Sequence, residues 1–196
     1  MSQYNLNTGD ILLFCGNDSC ISSLIKKFTN SEFTHVGMIL KDPNFIHPTL
    51  EGYYVWESGK EDEPDPQDNK NKFGVQITPF EEIYQSYQKD NGKIYVRKVN
   101  QPNNIFTLDK LEKIHKVVYD KPYDIVPKDW IEGYLQKDPN PQKTNRFWCS
   151  ALLGYIYTQC GCLNGDTDWS ILRPCDFTDN TKLKFNISLS NNIKIL

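Results

Sequence analysis

Two short runs, THVGMILK (34–41) and GYYVWESG (52–59), constrain the fold more than anything else in the chain. Each is rich in β-branched and aromatic residues and short for a helix, so both read as strands. The stretch between them carries Pro43 and Pro48, and the pair predicts an antiparallel hairpin with a long connection. DILLFC (10–15), GVQITPF (74–80) and KIYVRKV (93–99) predict further strands. SCISSLIKKFTN (19–30) repeats Ile21, Leu24, Ile25 and Phe28 at helical spacing, and FEEIYQSYQ (80–88) reads as a short helix. TLDKLEKIHKVVYD (107–120) predicts an amphipathic helix with Leu108, Leu111, Ile114 and Val118 on one face. A tail from about Leu163 is expected to hold at least one strand, LKFNISL (183–189). Strands dominate early and helices later, which predicts an α+β domain around an antiparallel sheet.

At 196 residues the chain suits a single domain over 1–196. The segment KEDEPDPQDNKNK (60–72) is almost wholly polar with two prolines, so it is expected to be a loop that buries too little apolar surface to order itself, near the mouth of a cleft and able to act as a lid. A net charge of -3 gives no electrostatic reason to expect a nucleic-acid partner. The first residues lack the basic and apolar regions of a signal peptide, and no stretch approaches the roughly 20 apolar residues needed to span a bilayer, so a cytoplasmic protein is expected. Its six cysteines are then expected to be reduced. They include no CxxC pair and the three histidines are scattered, so neither a metal nor another cofactor is expected.

One cysteine differs from the rest. In NRFWCSALLGYIYTQCG (145–161), Asn145 is a candidate N-cap, Cys149 falls in the first turn, and Gly161 suits the C-terminal end. Unpaired N–H groups and the helix dipole meet at that turn and favour a thiolate. A nucleophilic thiolate needs an imidazole beside it, commonly oriented by a third polar group. His47 reads as an exposed loop residue and His115 as a structural one beside an apolar stripe. His35 starts an otherwise apolar strand and needs a partner. With the hairpin connection at 42–51, its midpoint near 46 places His35 opposite Glu57, on one face of the sheet. A one-residue slip would move Glu57 to the other face. Glu51 is the fallback carboxylate.

These residues carry a resemblance. GDILLF (9–14), SSLIKKFTNSEFTHVGMIL (22–40), WES (56–58) and WCSALLGYIY (148–157), with Pro122-Tyr123-Asp124, resemble the circularly permuted branch of the NlpC-type papain-like superfamily over about Gly9 to Pro174. That branch includes bacterial YiiX-like proteins and poxviral relatives, with lecithin retinol acyltransferase as a more distant cousin. The resemblance implies a permuted papain-like fold with an antiparallel sheet against the nucleophile helix. It also implies a thiol hydrolase acting on an amide or ester through an acyl-enzyme, with Cys149 as nucleophile, His35 as base and Glu57 as orienting residue. The Cys149 backbone N–H and Tyr123 are candidate oxyanion donors. The implied partner is a small-molecule, peptide or lipid-like substrate. Tyr53, Tyr54, Trp56 and Trp148 are candidates for lining its groove, unless they are simply core. An acyltransferase or lipase of the lecithin retinol acyltransferase type, and a non-catalytic viral or structural binding module, are the rival readings.

Overall fold

The computed structural model describes residues 5–16, 31–100, 102–125 and 143–196. The helix expected at 19–30 lies outside these residues, as does Cys20. Among the described residues six strands form one antiparallel sheet, in the order β4-β3-β2-β1-β5-β6. They are β1 (Ile11–Cys15), β2 (Phe33–Lys41), β3 (Tyr53–Lys60), β4 (Phe73–Pro79), β5 (Lys93–Arg97) and β6 (Ile193–Lys194). Among the described residues three α-helices accompany them: α1 (Phe80–Lys89), α2 (Leu108–Val118) and α3 (Cys149–Gln159). The fold is α+β, as expected from the early strands and later helices.

Strand alternation divides the core in two. Ile11, Leu13, Val36, Met38, Trp56 and Ile77 point to one face and pack with α2 and α3. Leu12, Phe14, Ile39, Val55, Ile94 and Val96 point to the other and pack with Phe80 and Ile83 of α1. Helix α3 is buried continuously from Cys149 to Tyr157, consistent with a run that is apolar on every side. It ends in a Schellman motif: Gly161, at φ +83°, and Cys162 donate their N–H groups to Thr158 and Tyr157. Among the described residues no helix is long and apolar enough to cross a membrane.

The structure departs from the sequence reading at four places outside the site. Asn145 is not the N-cap; Trp148 occupies that position without a side-chain cap bond, which makes Cys149 the first helical residue. Leu108 is 67% exposed because it opens α2 beyond the edge of the core, whereas Leu111, Ile114 and Val118 are buried. LKFNISL is not a strand: it touches the ladder only at the Val99–Leu189 bridge, and β6 follows it. Buried Arg97 accounts for part of this, donating to the carbonyls of Phe177, Thr178 and Ser190 that would otherwise need backbone partners. Finally, the loop after β3 is organised by polar groups. Asp65, 1% exposed, accepts from Lys72 Nζ at 2.8 Å and Gln67 Nε2 at 2.6 Å, while Asp68 bonds Lys72 and Tyr119. A buried carboxylate with matched donors orders a segment that apolar burial could not.

Candidate active site

The β2–β3 register runs Met38–Trp56, Ile39–Val55, Leu40–Tyr54, Lys41–Tyr53. Extended past Met38, it sets His35 opposite Gly59 and Glu57 opposite Gly37, two residues from the register expected at the sequence level. A two-residue shift preserves the face, because side chains alternate with period two. His35 and Glu57 therefore still share a face, as diagonal neighbours, and His35 Nε2 lies 2.6 Å from Glu57 Oε2. A carboxylate is an acceptor only, so Nε2 is the donor. The other carboxylate oxygen, Oε1, accepts from the Thr78 hydroxyl at 2.6 Å. Glu57 is 1% exposed and His35 20%. Phe14, the β1 partner of His35, holds the ring with centroids 5.4 Å apart.

Cys149 is buried at the start of α3 and is the strongest of the groups that raise the His35 pKa, so the thiol lies near that ring. The body of α3 packs on the opposite sheet face, and Cys149, its first residue, still acts on the His35 ring. Nε2 engages Glu57, which leaves Nδ1 as the ring nitrogen for the thiol. Neighbouring residues pin this helix end: Ser58 Oγ donates to the Phe147 carbonyl at 2.7 Å, and Ser150 Oγ and Trp148 Nε1 both donate to that of Leu172. Burial alone would lower the His35 pKa, but Cys149 and then Glu57 override it and raise it well above its ordinary value. The arrangement favours imidazolium between two acids.

Tyr123 arrives on a separate segment. Its N–H donates to Phe73, it bridges Phe147 in parallel, and its ring stacks on Phe73 with centroids 4.8 Å apart. Burial, followed by the charges of Cys149 and Asp124, raises its hydroxyl well above the ordinary value and keeps the proton on it.

Other candidates fall away from this point. His47 and Glu51 are exposed on the connection, and His115 bonds Gln67 at 2.8 Å and packs near Trp56 and Phe45. Trp56 is core, and Tyr54 and Trp148 pack against the same core, while Tyr53 packs on the α1 side. Three residues in or around the site escaped sequence reading. Tyr87 of α1 lies against Phe14, with ring centroids 5.0 Å apart, and has its hydroxyl raised by burial and then by Glu57, Glu61 and Cys149. Gln76 lies opposite Glu57 in the β3–β4 register, 1% exposed, with Nε2 unpartnered among the described residues. Glu61, at the start of a loop read as solvated, is half-buried beside the pair. The β3–β4 register locates Gln76, and no local motif marks any of the three.

No family model matches the chain. A stretch of 130 residues is 35% identical to an uncharacterized protein of Acanthamoeba polyphaga mimivirus, covering 59% of this chain and 49% of that protein, so the chain spans about half the length of that relative. The fold is similar to the crystal structure of YiiX from Escherichia coli O157:H7, described as a metalloprotein, with a TM-score of 0.51 and 22% identity over 80% of this chain and 67% of that one. Among the described residues no group of three or more His, Cys, Asp or Glu side chains is placed to hold a metal ion.

Proposed function

We propose that the chain is a cysteine-dependent hydrolase of the permuted NlpC-type papain-like class, cleaving an amide or ester through an acyl-enzyme on Cys149. The observation that carries this reading is the position of His35, bonded to Glu57 at 2.6 Å and acted on most strongly, among the groups that raise its pKa, by Cys149. The fold likeness to YiiX supports the class at the level of architecture.

In the proposed reaction the Cys149 thiolate attacks the carbonyl carbon, and the carbonyl electron pair moves to oxygen. The first N–H groups of a helix have no intrahelical partner, and Trp148 makes no side-chain cap bond to α3, so the Cys149 N–H is the proposed first donor to that oxyanion. Tyr123, with its proton retained, is the proposed second donor. His35 then passes its proton to the leaving nitrogen or oxygen as the bond to carbon breaks, leaving a thioester. Water gives a proton back to His35 while its oxygen attacks the thioester, and the free acid and thiolate are regenerated. Glu57 keeps the proton on Nε2 and fixes the ring plane, with Thr78 holding Glu57 in turn.

The test is to incubate the protein with a mixed panel of peptide, lipid-ester and amide substrates and to seek an acyl adduct by intact mass. A carbonyl-derived mass increase that maps to Cys149 and vanishes in Cys149→Ala supports the reading. An adduct that persists in that variant, or turnover without Cys149, sinks it.

A further inference from the structure

The scheme above leaves one neighbouring carboxyl unused. Gly59 carries no side chain, and three groups close over its bare Cα. A methyl there would lie 3.5 Å from His35 Cε1, 3.9 Å from Glu61 Oε1 and 4.0 Å from Glu57 Oε2. The chain therefore returns a second glutamate, two residues past the glycine, to the neighbourhood of the first. Glu57 of β3, Asp62 of the same loop and Glu82 in the first turn of α1 all act on Glu61, with His35 of β2 the one cationic group among these neighbours. Tyr87 of α1 feels the charges of Glu57, Glu61 and Cys149 together, so it borders the same space.

We propose that Glu61, as a neutral carboxylic acid, is a positioning residue of the Cys149–His35–Glu57 group, and that its ionisation converts the site to a less reactive form. The inference rests on Cys149 being the nucleophile. Both the thiolate and the oxyanion it generates are negative, so a second carboxylate beside Glu57 raises the energy of each. An ionised Glu61 also holds His35 more firmly as imidazolium, a weaker proton donor to the leaving group. Burial first, and then the charge of Glu57, pushes Glu61 up to about 8, so the neutral form prevails at pH 7 and is lost just above it. Glu61 touches no reacting atom in this account. It sets the charge in which the others work.

The experiment follows acylation of Cys149 by p-nitrophenyl acetate, read as the initial rate of adduct formation by intact mass from pH 6 to 9.5. Wild type is expected to lose rate with a midpoint near pH 8, approaching about tenfold per pH unit beyond it. Glu61→Gln and Glu61→Ala, both permanently neutral, are expected to lose this limb, so that their ratio of rates at pH 7 and 9 no longer favours pH 7. A purely structural role would scale the rate at every pH and leave the limb in place. Coincident profiles for wild type and either folded variant overturn the proposal, as does absence of acylation at any pH. Failure of the underlying reading is visible separately, because iodoacetamide at pH 6 would then fail to select Cys149.

Discussion

His35 and Glu57 stand two residues out of direct cross-strand opposition and yet meet at 2.6 Å, because a diagonal offset on one sheet face is within reach of two long side chains. The pair links pH to folding with a definite sign. Burial lowers the His35 pKa but Cys149 and Glu57 raise it further, so the folded protein holds this proton more tightly than the unfolded chain. The resulting stability is complete below the unfolded value of about 6.5 and is lost as pH rises through the raised folded value. Thermal melts of wild type and His35→Ala should therefore differ most below pH 6 and converge on the alkaline side. A gap that widens with rising pH would contradict this sign.

Cys149 should be the first thiol to react. Burial pushes Cys160 and Cys162 up to about 12, and burial also raises Cys175, so these three remain thiols at pH 6. Peptide mapping after brief iodoacetamide treatment at pH 6 is expected to find label on Cys149 ahead of them. His35→Ala should remove the preference, and Glu57→Gln should weaken it less because Glu57 acts through the imidazole. Equal labelling of Cys149 and Cys175 at pH 6 would count against the pair.

Removing the buried carboxylate of the loop after β3 should destabilise the protein. Asp65 and Lys72 form a 2.8 Å pair with side chains 0% and 5% exposed, so Asp65→Ala leaves a buried ammonium with Asp68 as its remaining acid partner. A loss of about 3 kcal/mol is expected, near the lower end for a broken buried pair. Urea denaturation measures it as a lower midpoint at unchanged slope. A variant as stable as wild type would mean that the network is ornamental.

Gly161 offers a test free of packing. Its φ is +83° and an added methyl would meet nothing within 4 Å, so Gly161→Ala changes backbone energy alone. A destabilisation of about 1 kcal/mol is expected from the left-handed conformation. Retention of wild-type stability would show that the end of α3 relaxes freely.

The parts legible in the sequence were those with strong local signals. Strands β1 to β5 follow from β-branched and aromatic runs, and α1 and α2 from their periodicity. The shared face of His35 and Glu57 was accessible because face depends only on the parity of the register, although the hairpin midpoint was misjudged by one residue. Asn145 misled because a good capping residue is not used when the chain is still extended through Phe147 and Trp148. LKFNISL misled because its alternation serves packing against Arg97 and Tyr157 through Phe185, rather than sheet pairing. Gln76 and Glu61 were invisible for a different reason, since their environment comes from strands and helices distant in sequence.

Helix α3 is made after every strand from β1 to β5, and Tyr157 ties it back to the carbonyl of Gly9 at the start of the sheet. During synthesis, then, His35, the proposed base, is displayed long before Cys149, the proposed nucleophile, exists. Throughout that interval Ile11, Leu13, Val36 and Met38 await the helix that will cover them. The proposed chemistry thus comes into being only with the final docking step, and a chain released early would carry a sticky sheet and no reactive centre. On that proposal, the order of the elements along the chain by itself keeps an unfinished chain inactive.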